Sequence, residues 1–353
     1  MKGLLAIAVL FSFLFCGRVE ELGIFGESRK GDVLGQDGIT PIILSDSIVL
    51  WTFGDTILGT WKGNISTSAT FSESVNITDM ISNSLAFSEV PTPENVRNLR
   101  FFYLKEEGRV CQFLKYRKDE NPRLYRLWPV DGVRIDNRVY IYYYIIKMNW
   151  PTSFHMMGVG IAVWNIPNNW NIGDDVEFKR LPNLFPSSYP AFGATVLRKG
   201  NYIYTAGHYK EKDYTSPIKI ARVDVKGIEN RASYDYLTRD GNWVKNIENG
   251  EPFLGDVMGE CSISYNENSG MYVIIYCQTM TGRIIMVAFS DFRELYKSQK
   301  RIIYEPPMLV PNGTNRSLWY YSGKEIFSSG DLIFVIYINP LEYQPYLLKL
   351  TMK

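Results

Sequence analysis

Apolar, β-branched and aromatic residues recur along the chain in short runs separated by a few polar or glycine positions, a pattern that predicts strands joined by tight turns. The clearest case is Ile39 to Ser45, a turn at Asp46-Ser47, and Ile48 to Thr56. That hairpin pattern returns four times. Val133 to Ile135 turns at Asp136-Asn137 into Val139 to Ile146, and Phe192 to Leu197 turns at Lys199-Gly200-Asn201 into Tyr202 to Tyr209. Gly259 to Tyr265 turns over Asn266 to Gly270 into Met271 to Gln278, and Lys324 to Phe327 turns over Ser328 to Asp331 into Leu332 to Asn339. With turn positions at 46, 136, 200, 268 and 330, the spacings are 90, 64, 68 and 62 residues. Further runs, such as Gly158 to Trp164, Ile218 to Val225, Arg283 to Ser290 and Tyr346 to Met352, bring each unit to about four strands. Five related units of this size predict an all-β, five-bladed β-propeller. A β-sandwich accommodates five spaced hairpins poorly. Only Phe292 to Gln299 reads as a short helix, and Gly59 to Asp79, rich in Ser, Thr, Asn and Gly, reads as a long loop.

The first hairpin carries acid at both ends. Asp37 lies nine positions before Asp46 and Asp55 nine after it, so a regular register sets the two opposite one another, about 5 Å apart at the β-carbons. Paired carboxylates repel and call for a cation, a shared proton or a substrate. In a propeller the innermost strands converge on one axis, and Asp131, Glu260 and Glu325 also fall near the start of an inner strand. The third unit offers Gly193 there and His208 on its second strand. A ring of acids at a channel mouth suits glycoside hydrolysis, in which one carboxyl protonates the leaving oxygen and another attacks or activates water. No cofactor is expected, although the same ring could also hold calcium. For Asp131, Glu260 and Glu325 taken singly, bonding to backbone amides at a strand end is the simpler expectation.

Composition narrows the field. Lys and Arg number 38 against 37 Asp and Glu, which gives no basis for nucleic-acid binding. No Gly-x-Ser-x-Gly or Cys-x-x-Cys motif is present, no nucleotide site is expected, and two histidines, His155 and His208, exclude a three-histidine metal site. Aromatic residues make up 14% of the chain, led by 24 Tyr and 19 Phe, and most of them must fill strands. Of the candidate sugar-stacking residues Trp51, Trp61, Trp128, Trp319, Tyr320 and Tyr321, Trp61 and Tyr321 have the most polar or glycine-rich surroundings.

Lys2 and the apolar run Leu4 to Phe15 form a secretion leader, assigned to residues 1–17, which leaves one domain over 18–353. Cys16-Gly17 could instead begin a lipoprotein, although Phe15 is bulky for that position. The expected location is secreted or cell-surface, with membrane contact only through a lipid on Cys16. Export permits a disulfide between Cys261 and Cys277, with two buried free thiols as the alternative. Asn64, Asn76, Asn312 and Asn315 begin N-glycosylation sequons.

Gly35-Gln36-Asp37-Gly38, Leu50-Trp51-Thr52-Phe53-Gly54-Asp55-Thr56, Phe192 to Gly200 with Tyr202-Ile203-Tyr204, and Ile220-Ala221-Arg222-Val223 resemble the family called domain of unknown function 4185. That family is similar to five-bladed propeller glycosidases, and some members are endo-acting arabinanases. The resemblance implies a catalytic role for Asp37 and Asp55 and a glycan substrate. From the residues, Glu260 is the third catalytic candidate, and Asp131, His208, Glu325, Trp61 and Tyr321 are candidate substrate contacts. The rival expectation is a non-catalytic carbohydrate-binding or surface-interaction propeller.

Overall fold

The computed structural model describes residues 16–26, 32–62, 75–149, 153–208, 217–310 and 318–352. The apolar leader and the sequons at Asn64, Asn312 and Asn315 lie outside them. Five antiparallel sheets follow one another in sequence, each meeting the axis with its first strand. Blade 1 comprises Thr40–Ile43, Ile48–Phe53, Ser84–Glu89 and Phe102–Tyr103, and blade 2 comprises Tyr125–Ile135, Arg138–Asn149, Ser153–Asn165 and Lys179–Arg180. Blade 3 runs from Ala191–Lys199 through Tyr202–His208 and Ile218–Asp224 to Asp235–Leu237 and Trp243–Val244. Blade 4 is Val257–Asn266, Met271–Gln278, Ile284–Phe289 and Lys300–Tyr304. Blade 5 is Tyr321–Ser329, Leu332–Asn339 and Gln344–Met352, completed by Cys16–Ile24 from the other end of the chain. The expected propeller is therefore the fold.

Strand alternation explains how the blades pack. On the second strand of blade 2, Tyr140, Tyr142, Tyr144 and Ile146 enter the core shared with blade 3. Their neighbours Val139, Ile141, Tyr143 and Ile145 enter the core shared with blade 1. A period of two buried on both sides needs apolar residues at every position, and that is how these strands read. Equivalent cores fill the gaps between blades 3 and 4 and between blades 4 and 5. The last gap is filled by Trp51 and Phe53 of blade 1 against Ile326, Phe334 and Ile336 of blade 5, which closes the ring.

The same alternation decides the cysteines. Cys261 stands opposite Tyr276, so it shares that residue's face, and Cys277 points the other way. Cys261 belongs to the core between blades 3 and 4 and Cys277 to that between blades 4 and 5; both are buried free thiols. A bridge between them is excluded by strand geometry.

Two further readings change. The stretch from Gly59 to Asp79 is not all loop, because Thr56–Trp61 and Val75–Ile81 form strands, with residues 63–74 outside the described ones. Together with Val33–Gln36 they extend blade 1 beyond the acid end of its hairpin as a three-stranded sheet. Next along the chain, Arg109–Val110 pairs with Lys105–Glu106 as a short two-stranded ribbon. Beyond it, Asn83 Oδ1 accepts from Leu114 N–H and Leu114 enters the core, so side-chain anchoring replaces a ladder. The short helix is a 3₁₀ segment, Phe292–Lys297, capped by Asp291.

Candidate active site

The site begins with register. Gln36 stands opposite Thr56 and Thr40 opposite Thr52, so the two strands keep one offset through Asp37 and Asp55. Across the gap Asp37 N–H donates to Asp55 C=O at 3.3 Å, and Gly54 N–H donates to Asp37 C=O at 2.8 Å. The two aspartates thus face each other where blade 1 passes into its extension. Glycine is required here twice. A β-carbon on Gly54 would lie 2.5 Å from Asp37 Oδ1, and Gly38 has φ +58° with its missing β-carbon 3.0 Å from Gly54 N.

Hydrogen bonds fix the pair from two other blades. Asp37 Oδ2 accepts from Tyr343 OH at 2.8 Å and from Tyr321 OH at 3.0 Å, both on blade 5. Asp55 Oδ1 accepts from the Trp128 indole of blade 2 at 3.0 Å. Tyr343 has φ +52°, as does Ser322 beside Tyr321 with φ +53°, left-handed conformations that cost a non-glycine residue roughly 1–2 kcal/mol. Such strain persists where the surroundings over-determine it. Tyr343 is held by Gln36 N–H donating to its carbonyl at 3.0 Å, and Gln36 is itself buried, with Oε1 accepting from Tyr103 OH at 2.7 Å.

Burial acts first on the charge of the pair. It raises Asp37 well above the ordinary carboxylate range, and the Asp55 and Glu260 charges raise it further, against the two phenol donors. Burial also raises Asp55, against the Trp128 indole and the nearby Arg126. The pair is therefore built to keep a proton that exposed carboxyls would have lost.

The other expected residues divide by depth. Glu260, at the start of the blade 4 inner strand, comes near the pair: a β-carbon on Gly38 would lie 3.6 Å from its Oε1. Its Oε2 is ion-paired with Lys324 of blade 5, whose side chain is 3% exposed. Lys324 Nζ also donates to Thr40 Oγ1 at 2.8 Å and to Val130 C=O at 3.3 Å. Asp131 accepts from its neighbour Gly132 N–H at 2.7 Å and from Val196 N–H at 2.5 Å, tying blade 2 to blade 3. Burial pushes it up to about 7, opposed chiefly by the Lys324 charge. Glu325 does not join the others: it accepts from Ser264 Oγ at 2.5 Å, four residues beyond Glu260, or about 13 Å farther along the strand direction. It lines a channel of about 330 Å³ that also contains Thr40, Asp131, Thr195, Ser262 and Lys324.

His208 lies edge-on to Tyr144 at 5.8 Å, and burial pulls it down to about 4, so the imidazole is neutral. Its Nδ1 is buried with no hydrogen-bond partner among the described residues. Trp61 and Tyr343 pack together on Leu34, Ile57 and Val75 at the base of the extension. Trp51 and Tyr320 are core residues. Sequence reading did not single out Lys324, Tyr343 or Gln36. A lysine beside Glu325 near the start of an inner strand was the available signal for Lys324; nothing local marked Tyr343. Among the described residues no group of three or more His, Cys, Asp or Glu is arranged to hold a metal ion.

The model of the domain of unknown function DUF4185 matches residues 33–323, which include the aspartate pair, Glu260 and Tyr321. The chain belongs to the DUF4185 family. No curated protein matches it. Among solved structures, this DUF4185 protein is similar to a putative hydrolase from Bacteroides ovatus, at a TM-score of 0.65 and 14% identity over 92% of this chain and 87% of that one. It is also similar to a GH43_1 enzyme from Xanthomonas citri (TM-score 0.50, 12% identity, covering 94% and 90%). A third likeness is to BT0996 in an RGII complex (0.51, 12%, 95% and 92%). At these identities the likeness establishes the fold alone: this chain has the propeller fold of these structures, and chemistry must be argued from the site.

Proposed function

We propose that the protein is an exported glycoside hydrolase that cleaves a polysaccharide, arabinan or a related cell-envelope glycan first among candidates. The observation that carries this reading is the half-buried pair Asp37 and Asp55, opposed across two strands at the propeller mouth with donors on both carboxyls. Glycoside hydrolysis needs one protonated and one ionised carboxyl at the same bond. Asp37, with two neighbouring negative charges and burial favouring its proton, takes the role of general acid. Asp55, beside an indole donor and Arg126, takes that of the ionised nucleophile or base. Tyr321 and Tyr343 orient the acid, and the blade 1 extension with Trp61 forms a wall along which a glycan chain would lie.

The leader supports export. Cys16 pairs with Met352, whose N–H donates to Asp331 C=O at the inner-hairpin turn, on the face opposite the mouth. A lipid on Cys16 would therefore leave the mouth turned away from the membrane.

The test is product release from arabinans, galactans and xylans by residues 18–353, with Asp37→Asn and Asp55→Asn alongside. Loss of at least about 10³-fold in rate for each, with no loss of folded stability, supports the assignment. Polysaccharide binding without cleavage by the unaltered protein would replace it with a binding propeller.

A further inference from the structure

Glu260 acts on both Asp37 and Asp131, Asp37 faces Asp55, and one buried ammonium, Lys324, is paired with Glu260 and acts on Asp131. We propose that Lys324 is a positioning residue of the mouth: it fixes the Glu260 carboxylate beside Asp37 and offsets the charge of the acids around the axis, so that the aspartate pair works with one proton rather than two. The one-proton requirement rests on the hydrolase reading; the charge coupling does not.

Geometry supports this directly. Lys324 leaves blade 5 and is bonded to blade 1 through Thr40, to blade 2 through the Val130 carbonyl and to blade 4 through Glu260. A lysine needed only to fill space would not be fixed by groups from three other blades, and an alkyl chain would leave Glu260 buried beside Asp37 without its cation. The position is enforced from both sides. The ladder of blade 5 is irregular between Tyr321 and Lys324 and again between Glu325 and Phe327, which brings Lys324 and Glu325 to the same channel. Glu325 is bonded to Ser264, so Lys324 is directed to Glu260 instead.

The remaining titratable groups at the mouth do not compete for the role. Burial raises the Cys261 thiol to about 12 and pushes the Tyr144, Tyr321 and Tyr343 phenols well above their ordinary values, and it pulls the His208 imidazole down to about 4. All of these are neutral near pH 7. Arg126 acts on Asp55 from the blade 2 side, leaving Lys324 as the cation that faces Asp131 and Glu260.

Asp131 is a reporter that needs no substrate. Its oxygens accept from Gly132 and Val196 N–H, so those two amide resonances follow its ionisation in an NMR pH titration. The Lys324 charge favours the ionised form and Glu260 opposes it. Lys324→Met should therefore move the titration midpoint up by about one pH unit, and Glu260→Gln should move it down. The acid limb of kcat/KM should follow the same directions, with Lys324→Arg closer to the unaltered protein than Lys324→Met. If Lys324→Met does not fold, Glu260→Gln still tests the coupling. An Asp131 midpoint that stays fixed in the folded variants overturns the proposal and reduces Lys324 to packing. Shifted midpoints in a protein that cleaves no glycan overturn the hydrolase reading while the charge coupling stands.

Discussion

Asp37 is where function and stability oppose each other. Its folded-state affinity for a proton is raised above that of the unfolded chain, so the folded form binds more protons once pH exceeds about 4. Stability contributed by that proton is fully present below the unfolded value and is lost as pH rises through the folded one. Asp37→Asn removes the charge and keeps a carbonyl oxygen for the two phenols. The variant should melt a few degrees above the unaltered protein at pH 8 and show little gain at pH 4, while glycan cleavage is abolished. A melting temperature that falls equally at both pH values would contradict this account of the carboxyl. Tyr343→Phe should act in the other sense on the acid. Removing a donor to Asp37 raises its proton affinity further, so the basic limb of the pH–rate profile should move upward as kcat falls. A basic limb that moves downward would mean that Asp37 is not the group read there.

At the scale of the element, the first hairpin shows what local pattern can and cannot convey. The facing of Asp37 and Asp55 was legible because antiparallel register is constant once a turn is fixed, and nine residues on either side of Asp46 suffice. Glu260 was found by counting back from a turn in the same way. Counting did not foretell that Glu325 lies deeper, because irregular pairing within the blade 5 inner strand changes the advance per residue. Nor did it reveal that Tyr343, in the turn before the last strand, would donate to Asp37 from 306 residues away. Contacts of that kind depend on ring closure and leave no mark within a window of ten residues. The hairpin also yields a strict test of the site's geometry. Gly54→Ala places a methyl group within 2.5 Å of Asp37 Oδ1, at a position where the backbone tolerates alanine. The carboxylate must move, so cleavage should fall about 10²-fold, the scale expected for a 1 Å misplacement. Retention of full activity by Gly54→Ala would dissociate the placement of Asp37 from catalysis.

The whole molecule depends on a strand that the hairpin pattern alone did not assign. The five repeating hairpins announced the propeller, yet the repeat supplies only three strands of blade 5, and its outer edge is Cys16–Ile24. Arg18 to Glu21 lie opposite Thr351 to Leu348 in unbroken register, and Ile24 meets Tyr346. Val19 and Leu22 pack on the cores that blade 5 shares with blades 4 and 1, so the strand joins the two ends of the chain and seals the ring together. The mature chain proposed above, residues 18–353, would keep Arg18 to Ile24 of this strand. Deleting residues 18–24 should leave Gln344–Met352 as an exposed edge, with its alternating apolar face open to pairing with another chain. The expected outcome is a melting temperature lower by about 5 °C, on the order of 3–5 kcal/mol for a chain of this size, with concentration-dependent aggregation. Asp37 would lose its donors in the same event, because Tyr321 and Tyr343 both belong to blade 5. Activity should therefore decline before the global transition on heating, as blade 5 loosens first. Adding back a peptide of residues 18–26 should recover part of both properties, since the missing interactions are those of one strand with one edge. A truncated chain that melts and cleaves like the full one would show that four blades and a three-stranded fifth hold the mouth without closure.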